Sequence, residues 1–225
     1  LILKSLLKMK WSETTWHRIQ PIYSKILEMP FIKQLTDGSL PLEQFQYYIR
    51  QDSAYLENFG RALSLIAARA HEVEDILSFS RFAEGAIVVE NALHESFFKA
   101  YNIEKNTETS PVTHHYTHYL KSTAALDQVE VAMAAVLPCF WIYKAVGDVI
   151  FNNQNDLENP YKKWIETYSG EEFEILVNQA INTCDRVAAT CTTAQQERMH
   201  EAFLEATKLE FMFWDSATNL RKWPF

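Results

Sequence analysis

From Leu42 to Arg69 the chain has no proline and only Gly60, and Phe45, Tyr48, Ile49, Tyr55, Leu56, Phe59 and Leu63 recur at three- and four-residue steps. That spacing lays one apolar stripe along a long helix. The same period predicts a first helix carrying Trp16, Ile19, Ile22, Tyr23, Ile26 and Leu27, capped by Ser12, bent at Pro21 and ended by Pro30. A short turn over Phe31 to Leu35 follows, and Asp37-Gly38-Ser39 forms a break, with Ser39 capping the long helix and Pro41 in its first turn. His71-Glu-Val-Glu-Asp75 opens another helix that runs through Phe79, Phe82, Ile87, Val88 and Leu93 to Phe97, loosened at Gly85. Asn102 to Pro111 reads as a polar loop, and His114-His-Tyr-Thr-His118 begins the next helix. Asp127 with Glu130 resembles a capping box for a helix from Gln128 to about Asn153. Ser169 with Glu172, and Thr193 with Gln196, repeat that signature for helices from Gly170 to about Ala189 and from Ala194 to about Leu220, with a shorter helix over Asn159 to Tyr168 before them. Period-two runs bounded by turn residues do not recur, so the expectation is a single all-α domain over residues 1–225, a bundle of about eight helices without linker or repeat.

Within the helix predicted around residue 139, Ala134-Ala-Val-Leu-Pro-Cys-Phe-Trp-Ile-Tyr-Lys144 sets a proline, a thiol and a phenol in an apolar run. Cys139 and Tyr143 leave the same helix face, and Pro138 is expected to release the Ala134 carbonyl and bend the helix just before the thiol. Two readings stand: Cys139 as a small core residue, or as part of a site. Asp52, three residues before Tyr55, falls in the apolar stripe of its helix. Either the stripe turns that carboxylate out to water, or the carboxylate is paired or placed to bind something.

Composition narrows the function classes. Apolar residues make up 48% of the chain, ample for a large core, and the formal charge of −8 opposes nucleic-acid binding, which requires a surplus of lysine and arginine. Cys139, Cys184 and Cys191 suit reduced thiols in a cytoplasm; on one helix Cys184 and Cys191 would stand about 10 Å apart along the axis, too far for a disulfide. Leu1-Ile-Leu-Lys-Ser-Leu-Leu-Lys8 is far shorter than the roughly 20 residues of a membrane span and has no signal-peptide cleavage pattern. No membrane role is expected, and translation is expected to start at Met9, leaving residues 1–8 as an extension.

Three stretches, Pro138-Cys139 with Tyr143, Gln51-Asp-Ser-Ala-Tyr55 and Glu210-Phe-Met-Phe-Trp-Asp215, together with the interval from Tyr116 to Cys139, resemble the TenA family, the thiaminase II group of thiamin-salvage enzymes. The resemblance runs from about Trp11 to Trp214, with one more residue between Cys139 and Tyr168 than the family pattern has. It implies the haem-oxygenase-like helical bundle, a homotetramer, and hydrolysis of an aminomethylpyrimidine or of thiamin to hydroxymethylpyrimidine. By the same resemblance Cys139 is the nucleophile, Glu210 the proton-transferring carboxylate and Asp52 the group that holds the pyrimidine. Tyr55, Tyr116, Tyr143 and Tyr168 match the pocket tyrosines, and Phe213 an aromatic wall.

No cofactor or metal is expected. Glu197 and His200 form one Glu-x-x-His, where a di-iron bundle needs two such pairs and two further glutamates. Glu90 with His94, and His114 with His118, are four apart and at most weak chelating pairs, and His17 sits in an ordinary amphipathic stripe rather than at a haem site. A glycine-rich phosphate loop is absent. The competing readings are an oxidase of the same fold acting on a heterocycle, and a non-catalytic pyrimidine-binding or regulatory protein.

Overall fold

Nine α-helices and no strand make up the described residues, 9–103, 108–154 and 158–225 of a computed structural model. The octapeptide 1–8 and the side chains of the Glu90–His94 pair lie outside the described residues. Helix α1 (Trp11–Leu27) is continuous through Pro21, and its N-terminus is closed by Glu13, which accepts the Lys10 N–H at 2.8 Å. Ser12 is no cap: it is buried and donates its N–H and its hydroxyl to Asp185, each at 2.8 Å, tying α1 to α8 (Glu171–Thr190). Phe31 to Leu35 is not a turn but part of α2 (Pro30–Asp37), which buries Phe31, Ile32 and Leu35. Proline at the first helical position needs no N–H partner, and Gly38 at φ 78° supplies the left-handed exit, so Pro30 opens a helix rather than closing one.

Helix α3 (Leu42–Arg69) has the predicted extent, but Ser39 turns back to Asp37 and Pro41 is the capping position. Helix α4 is Val73–Ala100. The α5 helix (Pro111–Leu126) starts three residues before His114, because the Ser110 hydroxyl accepts the Thr113 N–H, a cap worth roughly 1 kcal/mol. Asp127 and Glu130 form no capping box: Asp127 ends α5 and pairs with Arg198, and Glu130 accepts from Gln195 at 2.8 Å. Ser169 likewise donates to the Ile165 carbonyl, leaving Gly170 at the start of α8. The one capping box of the three lies a residue earlier than expected, on Thr192 and Gln195, and opens α9 (Thr193–Thr218).

At the centre runs α6 (Val129–Asn153), which passes through Pro138 without interruption. It is long and apolar enough to cross a membrane, but 83% of its most apolar window is buried inside the protein, which makes it the core helix here. Each fully buried side chain such as Ile142 or Val146 contributes roughly 1.5–3 kcal/mol from water exclusion. The broadest packings are α3 on α4 and α6 on α9, with α5, α7 (Lys162–Ser169) and α8 also against α6. Gly147 permits a close approach of backbones: a Cβ there would lie 2.8 Å from the Tyr168 backbone, so its absence lets the end of α7 settle on α6.

Candidate active site

Asp52 follows Tyr48 by four residues and precedes Tyr55 by three, which gives it a place in the apolar face of α3 rather than on the solvent side. It is 2% exposed and looks into a cavity of about 720 Å3 between α3, α4, α6, α7 and α8. Cys139 and Tyr143 of α6 and Tyr168 of α7 line the same cavity. Cys139 is half-buried and in no disulfide. Gly147 contributes indirectly, since the approach of α7 brings the rings of Tyr143 and Tyr168 to 5.2 Å.

A second layer stands behind this wall. Glu210 of α9 is 1% exposed and accepts a 2.7 Å hydrogen bond from the Tyr116 hydroxyl of α5. Burial pushes its carboxyl up to about 8; the Tyr116 bond opposes the rise, and the charge of Asp52 adds to it. Tyr55 packs between Phe59, Tyr116 and Phe213 at centroid distances of 5.6, 4.9 and 5.7 Å. Its buried hydroxyl meets no partner at full hydrogen-bond geometry, yet Cys139, Tyr116 and Glu210 are all close enough to add to the rise that burial imposes on its acidity constant. Burial raises Tyr116 and Tyr143 in the same way, with Glu210 the next cause for the first and Tyr48 and Asp52 for the second. These phenols are therefore neutral hydrogen-bonding groups at any physiological pH.

All eight sequence-predicted residues thus fall in one neighbourhood, in two layers. Asp52, Cys139, Tyr143 and Tyr168 face the cavity, whereas Tyr55, Tyr116, Glu210 and Phe213 do not line it and buttress the wall. Pattern reading missed Tyr48, whose hydroxyl lies between the Trp164 indole N–H (3.2 Å) and the Tyr143 hydroxyl (3.4 Å). Its position one helical turn before Asp52 was the available signal. Also missed was an apolar belt that continues the cavity, including Phe82, Phe140, Phe173 and Leu176. Exposed Glu166, Glu171 and Glu172 border the mouth; Lys163 beside them donates to Ser96 and lies over the Phe97 ring.

Among the described residues no three His, Cys, Asp or Glu side chains are grouped to hold a metal ion. Glu197 is bound by both guanidinium nitrogens of Arg18 at 2.6 and 3.0 Å, and His200 is hydrogen-bonded to Thr15 and stacked on Trp11. His17, His114 and His118 are on exposed helix faces, the last two stacked at 4.0 Å. What the cavity offers instead is a carboxylate, a thiol and aromatic faces around a space suited to a flat heterocycle.

The model of the TENA/THI-4/PQQC family matches residues 16–220. An aminopyrimidine aminohydrolase of Bacillus subtilis is 33% identical over 199 residues, 86% of this chain and 84% of that protein. The thiamine biosynthesis multifunctional protein ThiED of Corynebacterium efficiens is 34% identical over 210 residues, and there the chain spans 93% of its own length but 28% of the relative's. Among solved structures, a TenA homologue from P. horikoshii OT3 matches with a TM-score of 0.86 at 25% identity, covering 94% of this chain and 99% of that one. A domain of unknown function with a haem-oxygenase-like fold from Shewanella denitrificans matches with a TM-score of 0.73 at 12% identity, covering 96% and 94%. The fold of the present chain is of that type.

Proposed function

The chain belongs to the TENA/THI-4/PQQC family, and from that premise we propose that it is a hydrolase acting at the methylene carbon of an aminopyrimidine, in thiamin salvage. The products are hydroxymethylpyrimidine and either ammonia, from an aminomethylpyrimidine, or the thiazole, from thiamin. One observation carries this reading: a cavity walled by a carboxylate, Asp52, and a thiol, Cys139, with a carboxyl behind it, Glu210, whose proton affinity burial has raised far above that of an ordinary carboxylate.

Water alone displaces a group from that carbon slowly, so a stronger nucleophile that divides the step is useful. In the proposed sequence the Cys139 thiolate adds to a carbon of the pyrimidine ring, and the displaced electron pair moves through the ring and expels the leaving nitrogen from the methylene. In the aminomethylpyrimidine that nitrogen takes a proton and leaves as ammonia; in thiamin the positively charged ring nitrogen leaves as neutral thiazole and needs none. Water then bonds to the exposed methylene carbon and gives up a proton, and the sulfur departs with its electron pair, restoring the ring. Asp52 accepts hydrogen bonds from the exocyclic amine and the protonated ring nitrogen, charge-assisted contacts that polarise the ring for attack. Glu210, held at about 8, binds a proton far more readily than an ordinary carboxylate, which suits it to take one from a thiol. The hydroxyls of Tyr55 and Tyr116 stand between them, so Glu210 takes the thiol proton and one is returned to the leaving nitrogen.

Asp52→Asn keeps the shape and removes the charge. Its expected effect is a rise in KM for the aminopyrimidine of about 10- to 100-fold, the scale of one hydrogen bond to a charged group. Steady-state kinetics check it, and an unchanged KM would remove Asp52 from substrate binding.

We also infer a cytoplasmic homotetramer without nucleic-acid or membrane partners. Support for assembly comes from exposed Ile76, Ile87 and Val88 of α4, which line one groove with Ala67 and Ala68 of α3, an apolar surface of the kind that subunits cover. Val88→Lys is expected to yield smaller species in sedimentation velocity; a persisting tetramer would move the interface elsewhere.

A further inference from the structure

The cavity exceeds what a single substituted ring fills. At about 720 Å3 it lies in the upper part of the roughly 300–1,000 Å3 range of pockets that take drug-sized molecules. Beyond Asp52, Cys139 and Tyr143 it continues between Phe82 and Gly85 of α4 and Phe173 and Leu176 of α8. Gly85 is the informative position. Glycine inside a helix costs about 1 kcal/mol relative to alanine, and among the described residues neither a left-handed backbone nor a close neighbour calls for it: a Cβ at Gly85 meets none of them within 4 Å. Gly60 of α3 differs, since a Cβ there would lie 2.7 Å from Ile87. What the missing side chain at Gly85 leaves is therefore open space on the cavity wall.

We propose that Gly85 is a specificity-determining position: it keeps open a leaving-group chamber between α4 and α8, so the site accepts aminopyrimidines whose methylene carries a second ring as well as those that carry a bare amine. This inference rests on the hydrolase reading above. The chamber's walls are apolar, which suits the faces of a ring, and at the mouth the carboxylates of Glu166, Glu171 and Glu172 outnumber the one cation among the described residues there, Lys163, which suits a ring with positive charge. Asp52 and Cys139 hold the pyrimidine end in either case, so the chamber affects only what is attached to it.

Two substitutions narrow the chamber from opposite walls, Gly85→Leu on α4 and Leu176→Trp on α8. For each, kcat/KM is measured with thiamin and with the aminomethylpyrimidine, and thermal unfolding reports whether the variant folds. The expected result is a loss of about 10-fold or more for thiamin with the aminomethylpyrimidine held within about 2-fold. Equal losses for both substrates, or no loss for either, in a folded variant would overturn the chamber while leaving the hydrolase reading intact. Should Gly85→Leu not fold, Leu176→Trp carries the same test. A parental protein that turns over neither compound would overturn the hydrolase reading, and the chamber with it.

Discussion

Replacing Cys139 with serine is expected to lower kcat for aminopyrimidine hydrolysis by about three orders of magnitude or more, with little change in the fold. Serine keeps the volume of the side chain within one atom, and Cys139 is half-buried at the cavity wall rather than in the densest core, so packing has little reason to suffer. The hydroxyl, however, is far less acidic than the thiol. Glu210 at about 8 can take a proton from a thiol, but not appreciably from an alcohol. Single-turnover kinetics with circular dichroism as the fold control make the comparison, and a serine variant that works at the parental rate would rule out covalent catalysis by this residue.

The second large effect belongs to Glu210→Gln, which should act on activity and stability in opposite directions. Loss of a proton carrier costs about 10²- to 10⁴-fold in rate. Stability follows from linkage. Burial raises this carboxyl from an ordinary 4.5 to about 8, so between those pH values the folded protein holds a proton that the unfolded chain has released. Its stabilising contribution is complete below about pH 4.5 and is lost as pH rises to about 8, by an amount on the order of 5 kcal/mol at most. Glutamine carries no such dependence, so the variant should gain on the parent as pH rises from 5 to 8, read by denaturant unfolding at both pH values. With the aminomethylpyrimidine the rate profile of the parent should be bell-shaped, with an acid limb that falls away below about pH 8. There Glu210 is already protonated and cannot accept from Cys139; at higher pH the pair lacks the proton that the leaving nitrogen needs. A glutamine variant with the parental rate and the parental profile would remove Glu210 from proton transfer.

How far the sequence reveals this arrangement depends on which interactions are local. Helix α3 is legible over its whole length because Leu42 to Arg69 is uninterrupted and its apolar residues keep one period. The pairs within a helix, Asp52 with Tyr55 and Cys139 with Tyr143, follow from spacing for the same reason. The eight residues of α2 escape because Pro30 and Gly38 bracket too few apolar positions to show a period, and the same two residues that read as a turn are good helix ends. Caps fail where a short polar side chain finds another partner: Ser12 finds Asp185, Ser39 finds Asp37 and Asp127 finds Arg198. Thr192 has no such competitor and caps α9 through Gln195.

Family resemblance brings the eight site residues together, but it does not rank them by depth. That Glu210 stands behind the cavity wall, hydrogen-bonded to Tyr116, depends on how α5 and α9 pack against α3 and α6, and no linear spacing records it. The apolar belt was hidden for a related reason, since Phe82, Phe173 and Leu176 are ordinary helix residues until α4 and α8 face one another across the cavity.

The central claim is that turnover passes through the Cys139 sulfur, and alkylation tests it most directly. Treated with iodoacetamide, the protein should lose activity in step with carbamidomethylation at Cys139 in peptide mass maps, and bound hydroxymethylpyrimidine should slow both together. Cys191, also half-buried, serves as the internal comparison and should be alkylated without loss of rate or protection by the pyrimidine. Full turnover by protein whose Cys139 is completely alkylated would contradict the account.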